Sequence, residues 1–122
     1  MILKQLNIYP LLKKYGIKPK KSLGQNFLIE PAGLIKVIEA AELTVEDEVL
    51  EIGAGLGSLT YLLAQSVRQV VAVEIDRAML PPLREALAKF DNVRIVEGDI
   101  LALHPDDLMQ QQNYVVVANI PY

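Results

Sequence analysis

The sequence predicts an α/β chain built on a parallel sheet that is covered on both faces. Three observations lead there. Short apolar runs, rich in β-branched residues, recur at 48–52, 69–73, 93–96 and 114–118. Segments with helical spacing separate the first three of these runs, and a glycine-rich or acidic turn follows each of them. Strands this apolar belong to sheets buried on both sides, and alternation with helices is the rhythm of parallel crossover units.

Leu6, Ile8, Leu11, Leu12 and Tyr15 share one helical face, with Gly16 as the stop. Residues 16–26 read as a loop, punctuated by Gly16, Pro19, Ser22, Gly24 and Asn26. Pro31 suits the first turn of a helix that carries Leu34, Ile35, Ile38 and Ala41 and ends near Glu42. Glu48–Ile52 is strand 1, Ser58–Gln65 a short helix and Gln69–Val73 strand 2. Asp76 is placed to cap the next helix, which becomes regular after Pro81 and Pro82 and carries Leu83, Leu87 and Phe90. Asp91-Asn92 is a turn, Val93–Val96 is strand 3, Gln110–Gln112 is a polar loop and Tyr114–Ala118 is strand 4. In the usual strand order of such sheets, strand 4 is an open apolar edge, a route to self-association. The stop at Tyr122, soon after strand 4, reads as a truncation, because doubly wound sheets normally continue.

The 122 residues are enough for one core, and 52% are hydrophobic. Without cysteine there is neither a disulfide framework nor a thiolate metal site, and His104 has no second imidazole, so no metal is expected. No secretory pattern is visible, and the longest apolar run, Tyr114–Ala118, is far too short for a bilayer. A soluble cytoplasmic protein without a membrane partner is the expectation. The net charge of −3 is uneven. Residues 1–29 hold Lys4, Lys13, Lys14, Lys18, Lys20 and Lys21 and no acid, whereas residues 30–122 set six basic against fifteen acidic side chains. The chain thus divides into a basic helix and arm at 1–29, suited to an anionic partner, and a ligand-binding domain at 30–122.

Four motifs fall at the carboxyl ends of the strands, where ligands of open α/β sheets bind. Glu51-Ile-Gly-Ala-Gly-Leu-Gly57 follows strand 1 and opens a helix. Gly53, Gly55 and Gly57 permit a tight turn and close approach of a ligand to bare backbone. The spacing G-x-G-x-G departs from the dinucleotide fingerprint, whose third glycine would fall at Ser58, so a nucleotide-like ligand without a pyrophosphate fits better than a nicotinamide cofactor. Glu74, at the end of strand 2, can accept hydrogen bonds from two ribose hydroxyls, with Asp76 doing the capping. Asp99 can accept from an adenine amino group while the Ile100 amide donates to the ring. After strand 4, Asn119-Ile-Pro-Tyr122 combines an amide acceptor, a fixed turn at Pro121 and a flat ring at Tyr122, which together suit a planar amine. Gln25 and Asn26, in Leu23-Gly-Gln-Asn-Phe-Leu28, add two amides, with Phe27 and Leu28 packing the arm onto the sheet.

Gly24-Gln-Asn-Phe-Leu28, Glu51–Gly57, Val73-Glu-Ile-Asp76, Gly98-Asp-Ile100 and Asn119–Tyr122 occur in an order and spacing that resemble the ribosomal RNA adenine dimethyltransferases, from about residue 7 to 122. The resemblance implies a Rossmann-like class I methyltransferase fold truncated after its fourth parallel strand, with S-adenosylmethionine as cofactor. It implies cofactor contacts from Gln25, Asn26, Leu28, Gly53, Gly55, Gly57, Glu74, Ile75, Asp99, Ile100 and Asn119, and catalysis by Asn119, Pro121 and Tyr122. The implied reaction is N6-dimethylation of two adjacent adenosines near the 3′ end of small-subunit rRNA, by a parent enzyme that acts as a monomer on rRNA or the pre-ribosomal small subunit. Gly24 and the lysine-rich lead favour this branch over the macrolide-resistance enzymes of large-subunit rRNA. A non-catalytic RNA-binding or ribosome-assembly module, using the basic residues 13–21, is the reading from a different class.

Overall fold

A computed structural model describes residues 3–18 and 31–118, the side chains of Pro31 and Ala32 excepted. Its elements are α1 (Tyr9–Tyr15), α2 (Pro31–Ala40), β1 (Glu48–Ile52), α3 (Ser58–Ala64), β2 (Gln69–Glu74), α4 (Leu80–Leu87), β3 (Val93–Glu97), α5 (Pro105–Leu108) and β4 (Val115–Ala118). Two single 3₁₀ turns, Arg77–Met79 and Ile100–Ala102, complete the set. The four strands form one parallel sheet in the order β3-β2-β1-β4, which leaves β4 at an edge with Val116 exposed.

Strand parity sorts the side chains into two layers. Val49, Val70, Ala72, Val93 and Val117 face the side carrying the helices. There Leu34 of α2, Leu59, Leu62 and Leu63 of α3, and Leu83 and Leu87 of α4 close over them. Leu50, Val71 and Val73 face the other side, which the segment 100–114 covers with Ile100, Leu103, Leu108, Met109 and Tyr114. The expected burial on both faces is therefore met for β1 and β2, with a second cover of mostly irregular chain, whereas β3 is only half-buried and β4 buries Val117 alone. Residues 97–113 carry no helical periodicity long enough to read, and the 3₁₀ turn and α5 within them had no sequence signal beyond Asp99 and Pro105.

Beyond shifts of one or two residues at other ends, three boundaries differ from the sequence expectation. The first helix begins at Tyr9 and not at Leu6, because Pro10 occupies its first turn and the Asn7 side chain accepts the Tyr9 amide at 3.3 Å. The fourth helix begins before its prolines. Pro81 and Pro82 sit in the first turn of α4, where a helix needs no amide donor, so both are tolerated there. That helix stops at Leu87, leaving Phe90 beyond its end to meet Tyr61 edge-on at 5.0 Å. The Asp91-Asn92 turn is as expected, and the Asn92 amide donates to the carbonyls of Ala64 and Val67 at 2.8 and 3.2 Å, tying α3 to the start of β3.

One buried carboxylate organises the lower end of the sheet. Glu48 is fully buried, and its Oε1 accepts the amides of Gln110 and Gln111 at 2.9 and 2.8 Å, with Arg68 3.8 Å away. This fastens the 110–112 loop so that β4 enters the sheet in register beside β1.

Candidate nucleotide-binding site

The carboxyl ends of all four strands lie along one edge: Ile52 pairs with Val73 and Ala118, and Glu74 with Glu97. The glycine loop leaves β1 there and folds back over β2, with the Gly53 and Ala54 amides donating to the Val73 carbonyl at 2.9 and 3.3 Å. Gly53, Gly55 and Gly57 all have positive φ, at 78°, 59° and 91°. The loop closes on itself through the Gly57 amide to the Ala54 carbonyl at 2.9 Å and passes directly into α3.

Gly57 is required twice over. Its φ lies where side chains are strained, and a Cβ there would stand 2.9 Å from Leu83 Cδ1, itself fully buried against the sheet. Gly57→Ala is expected to destabilise the fold by about 2–3 kcal/mol, from the backbone penalty and forced repacking of α4 together. Urea unfolding monitored by circular dichroism checks this; an unchanged midpoint would show that α4 yields freely.

Glu74 is only 6% exposed. Its Oε1 accepts the Gly55 amide at 2.6 Å and its Oε2 the Asp76 amide at 2.9 Å. Expected to be free for ribose hydroxyls, it also clasps the glycine loop to the end of β2. Each oxygen keeps a second acceptor site, so two remain for a diol. Asp76 caps the following turn as expected, accepting the Ala78 amide at 2.9 Å. Asp99 does the same one strand over, accepting from Leu101 at 2.9 Å. Gly98 joins the two turns by donating to the Glu74 carbonyl at 3.0 Å. Ile75 is exposed beside Glu74, and Ile100 packs into the sheet below Asp99.

Two features of the site carry no plain sequence signal. Leu56, in the middle of the glycine loop, is buried against Ile8 and Leu12, so α1 braces the loop from outside. Lys14 and Tyr15 of α1 both bond Glu85 of α4, at 2.5 and 3.0 Å, which takes Lys14 out of the free basic arm and leaves Lys13 and Lys18 exposed. The second feature is Glu51, at the root of the loop, which is wholly buried on the helix-covered face. The Thr60 hydroxyl of α3 donates to its Oε1, and among the described residues its Oε2 has no partner. Burial, with a smaller push from Glu74, raises its pKa from an ordinary 4.5 to about 8 although Thr60 opposes the shift.

Of the expected site residues, Gly53, Gly55, Gly57, Glu74, Ile75, Asp99 and Ile100 come together on this edge. Gln25, Asn26, Leu28, Asn119, Pro121 and Tyr122, as well as Lys20 and Lys21 of the arm, lie outside the described residues. Among the described residues no cluster of three metal-ligating side chains occurs, His104 is exposed, and no helix is long and apolar enough to cross a membrane.

Similarity to known proteins agrees with this geometry. The family described as ribosomal RNA adenine dimethylase matches residues 16–122. The chain belongs to that family. Ribosomal RNA small subunit methyltransferase A of Listeria monocytogenes is 44% identical, with 92% of this chain and 40% of the relative aligned. The protein of the same name from Pediococcus pentosaceus is 41% identical, over 92% and 39%. The chain thus spans about 40% of the length of the curated relatives it matches. Among solved structures, a dimethyladenosine transferase from Plasmodium falciparum superposes with a TM-score of 0.64 at 33% identity, covering 76% of this chain and 33% of that one. The 23S rRNA methyltransferase ErmE superposes with a TM-score of 0.68 at 35% identity, over 76% and 36%. The Rossmann-like class I methyltransferase fold inferred from the motifs is therefore the observed one.

Proposed function

We propose that this chain forms the S-adenosylmethionine-binding part of an enzyme that dimethylates N6 of two adjacent adenosines near the 3′ end of small-subunit rRNA, in the cytoplasm. The observation that carries the reading is the Glu74 clasp. A nearly buried carboxylate holds the glycine loop with one acceptor site per oxygen and keeps the other for the ribose, inside a chain that belongs to the rRNA adenine dimethylase family.

The residues present fit this cofactor. The glycine loop offers bare backbone, Glu74 a diol acceptor, Ile75 an apolar face, and Asp99 its second carboxylate oxygen for an adenine amino group, with Gln25, Asn26 and Leu28 assigned to the other end of the ligand. When bound, the cofactor supplies a methyl already electrophilic on a sulfonium, which needs no metal. The chain's task is then to present a weakly nucleophilic amine. Asn119 and a backbone carbonyl at Ile120 or Pro121 accept its two hydrogens, and Tyr122 stacks the flipped-out base. The four residues follow directly on β4, which ends level with the glycine loop.

Small-subunit rRNA is favoured as substrate because the 41–44% identical relatives bear small-subunit names, whereas ErmE is 35% identical. Exposed Lys13 and Lys18 suit a phosphate backbone beside the site. Calorimetric titration with S-adenosylmethionine, against NAD as control, tests the cofactor. Saturable binding of the former alone is expected, and binding of NAD instead would overturn the assignment. In a chain that extends through the whole catalytic domain, Asn119→Ala should lower kcat at least about a hundredfold while shifting cofactor affinity by less than about threefold. Equal losses would remove Asn119 from the chemistry.

A further inference from the structure

Glu51 is a buried ionisable group that the proposed reaction does not use. It and Glu74 project from adjacent strands onto the same face, under the glycine loop, with Glu51 opposite Ala72 and Glu74 two residues further along. Glu74 is satisfied by backbone amides, whereas Glu51 has one oxygen on Thr60 and, among the described residues, no partner for the other. Among the described residues no cation balances it. β2 contributes Glu74, and α3 and β4 contribute no charged side chain. The nearest helices carry Lys13, Lys14, Lys36, Glu39, Arg84 and Glu85, all exposed, and Lys14 is spent on Glu85. A lone buried carboxylate beside a second carboxylate is costly as an anion.

We infer that Glu51 holds a proton while the site is empty and releases it to solvent when a cationic ligand seats on the glycine loop, so that binding and proton release are linked. The inference rests on the proposed cofactor, whose sulfonium and ammonium outweigh its one carboxylate. A net positive charge brought to the loop supplies the balance that the described residues lack, and the O–H bond of the carboxyl breaks with its proton passing to the buffer. The apo site is thereby spared an unpaired buried anion, and the loaded site gains an attractive partner below the loop.

Two measurements test this. In the ligand-free chain, labelled at glutamate carboxyl carbons, the resonance missing from Glu51→Gln should titrate near 8. A midpoint below 6 overturns the inference whatever binds. Calorimetry with S-adenosylmethionine at pH 7, in phosphate and in Tris, should then report about one proton released by the wild type, the ~0.9 held by a group of that pKa. Affinity should rise towards tenfold per pH unit between 6 and 8 and level off above. The ligand's own amine also titrates in this range and, bound as an ammonium, takes up a small fraction of a proton, so Glu51→Gln, a neutral isostere, should show only that small uptake. Binding with identical proton release in wild type and Glu51→Gln overturns the linkage and leaves the cofactor standing. No binding at any pH removes both the linkage and the cofactor.

Discussion

Glu74→Ala is expected to cost about a hundredfold in S-adenosylmethionine affinity and, separately, about 2–4 kcal/mol of stability. The affinity figure follows from two charge-assisted hydrogen bonds to ribose hydroxyls, each worth about 1.5 kcal/mol net, with 1.4 kcal/mol per factor of ten. The stability figure comes from the other two acceptor sites, whose loss strands the Gly55 and Asp76 amides in a place almost closed to water. Glu74→Gln separates the two effects. Its oxygen can still take the Gly55 amide, but its NH₂ group then faces the Asp76 amide, donor against donor. An intermediate loss of stability with most of the affinity loss retained is the expected pattern, measured by denaturant unfolding and calorimetry on the same samples. A stable, folded Glu74→Gln chain that binds as tightly as wild type would reduce Glu74 to a loop fastener.

That double duty explains where the sequence was legible and where it was not. Runs such as Val70–Val73 and Val115–Ala118 are apolar at every position, so strand identity could be read directly; burial on both faces followed for the first, whereas the second lies at an edge with Val116 exposed. The residues proposed to meet the ligand were visible by type alone: glycine after β1, an acid at the end of β2 and another after β3. Partnership could not be read. Asp76 is the cap that its type and position predict, yet Glu74 is not left unbonded, because the Gly55 amide arrives from the loop after a different strand, nineteen residues away. Glu48 and Glu51 look like polar interruptions of one short strand. Opposite parity sends Glu48 to the 110–112 loop and Glu51 to Thr60, and nothing local distinguishes a carboxylate with two amide donors from one with an orphaned oxygen. The brace of Leu56 on Ile8 and Leu12 was hidden for the same reason, since it joins segments 44 or more residues apart. Helical spacing in α1 was visible, but its packing against the glycine loop depends on the tertiary fold.

The orphaned Glu51 also sets how the fold should respond to pH. Its pKa is about 8 in the folded chain and near 4.5 unfolded, so between those values the folded state holds the extra proton. The stability this group contributes is complete below 4.5 and is lost as pH rises through about 8. Unfolding free energy should therefore fall with rising pH, by up to about 1.4 kcal/mol per unit where one proton separates the two states. This slope is opposite in sign to that of a carboxylate held by an ion pair, such as Glu85 beside Lys14, whose lowered pKa removes stability only in acid. Glu51→Gln keeps the neutral form at every pH. It should flatten the profile above pH 5 and, near pH 8, unfold at a higher urea concentration than wild type. A wild-type profile that is flat from pH 5 to 8 would mean that water or a shift of α3 reaches Glu51 and lets it ionise at little cost. A carboxylate kept at a stability cost in the root of a binding loop is what a ligand-linked proton requires. An uncharged glutamine would serve the fold alone better.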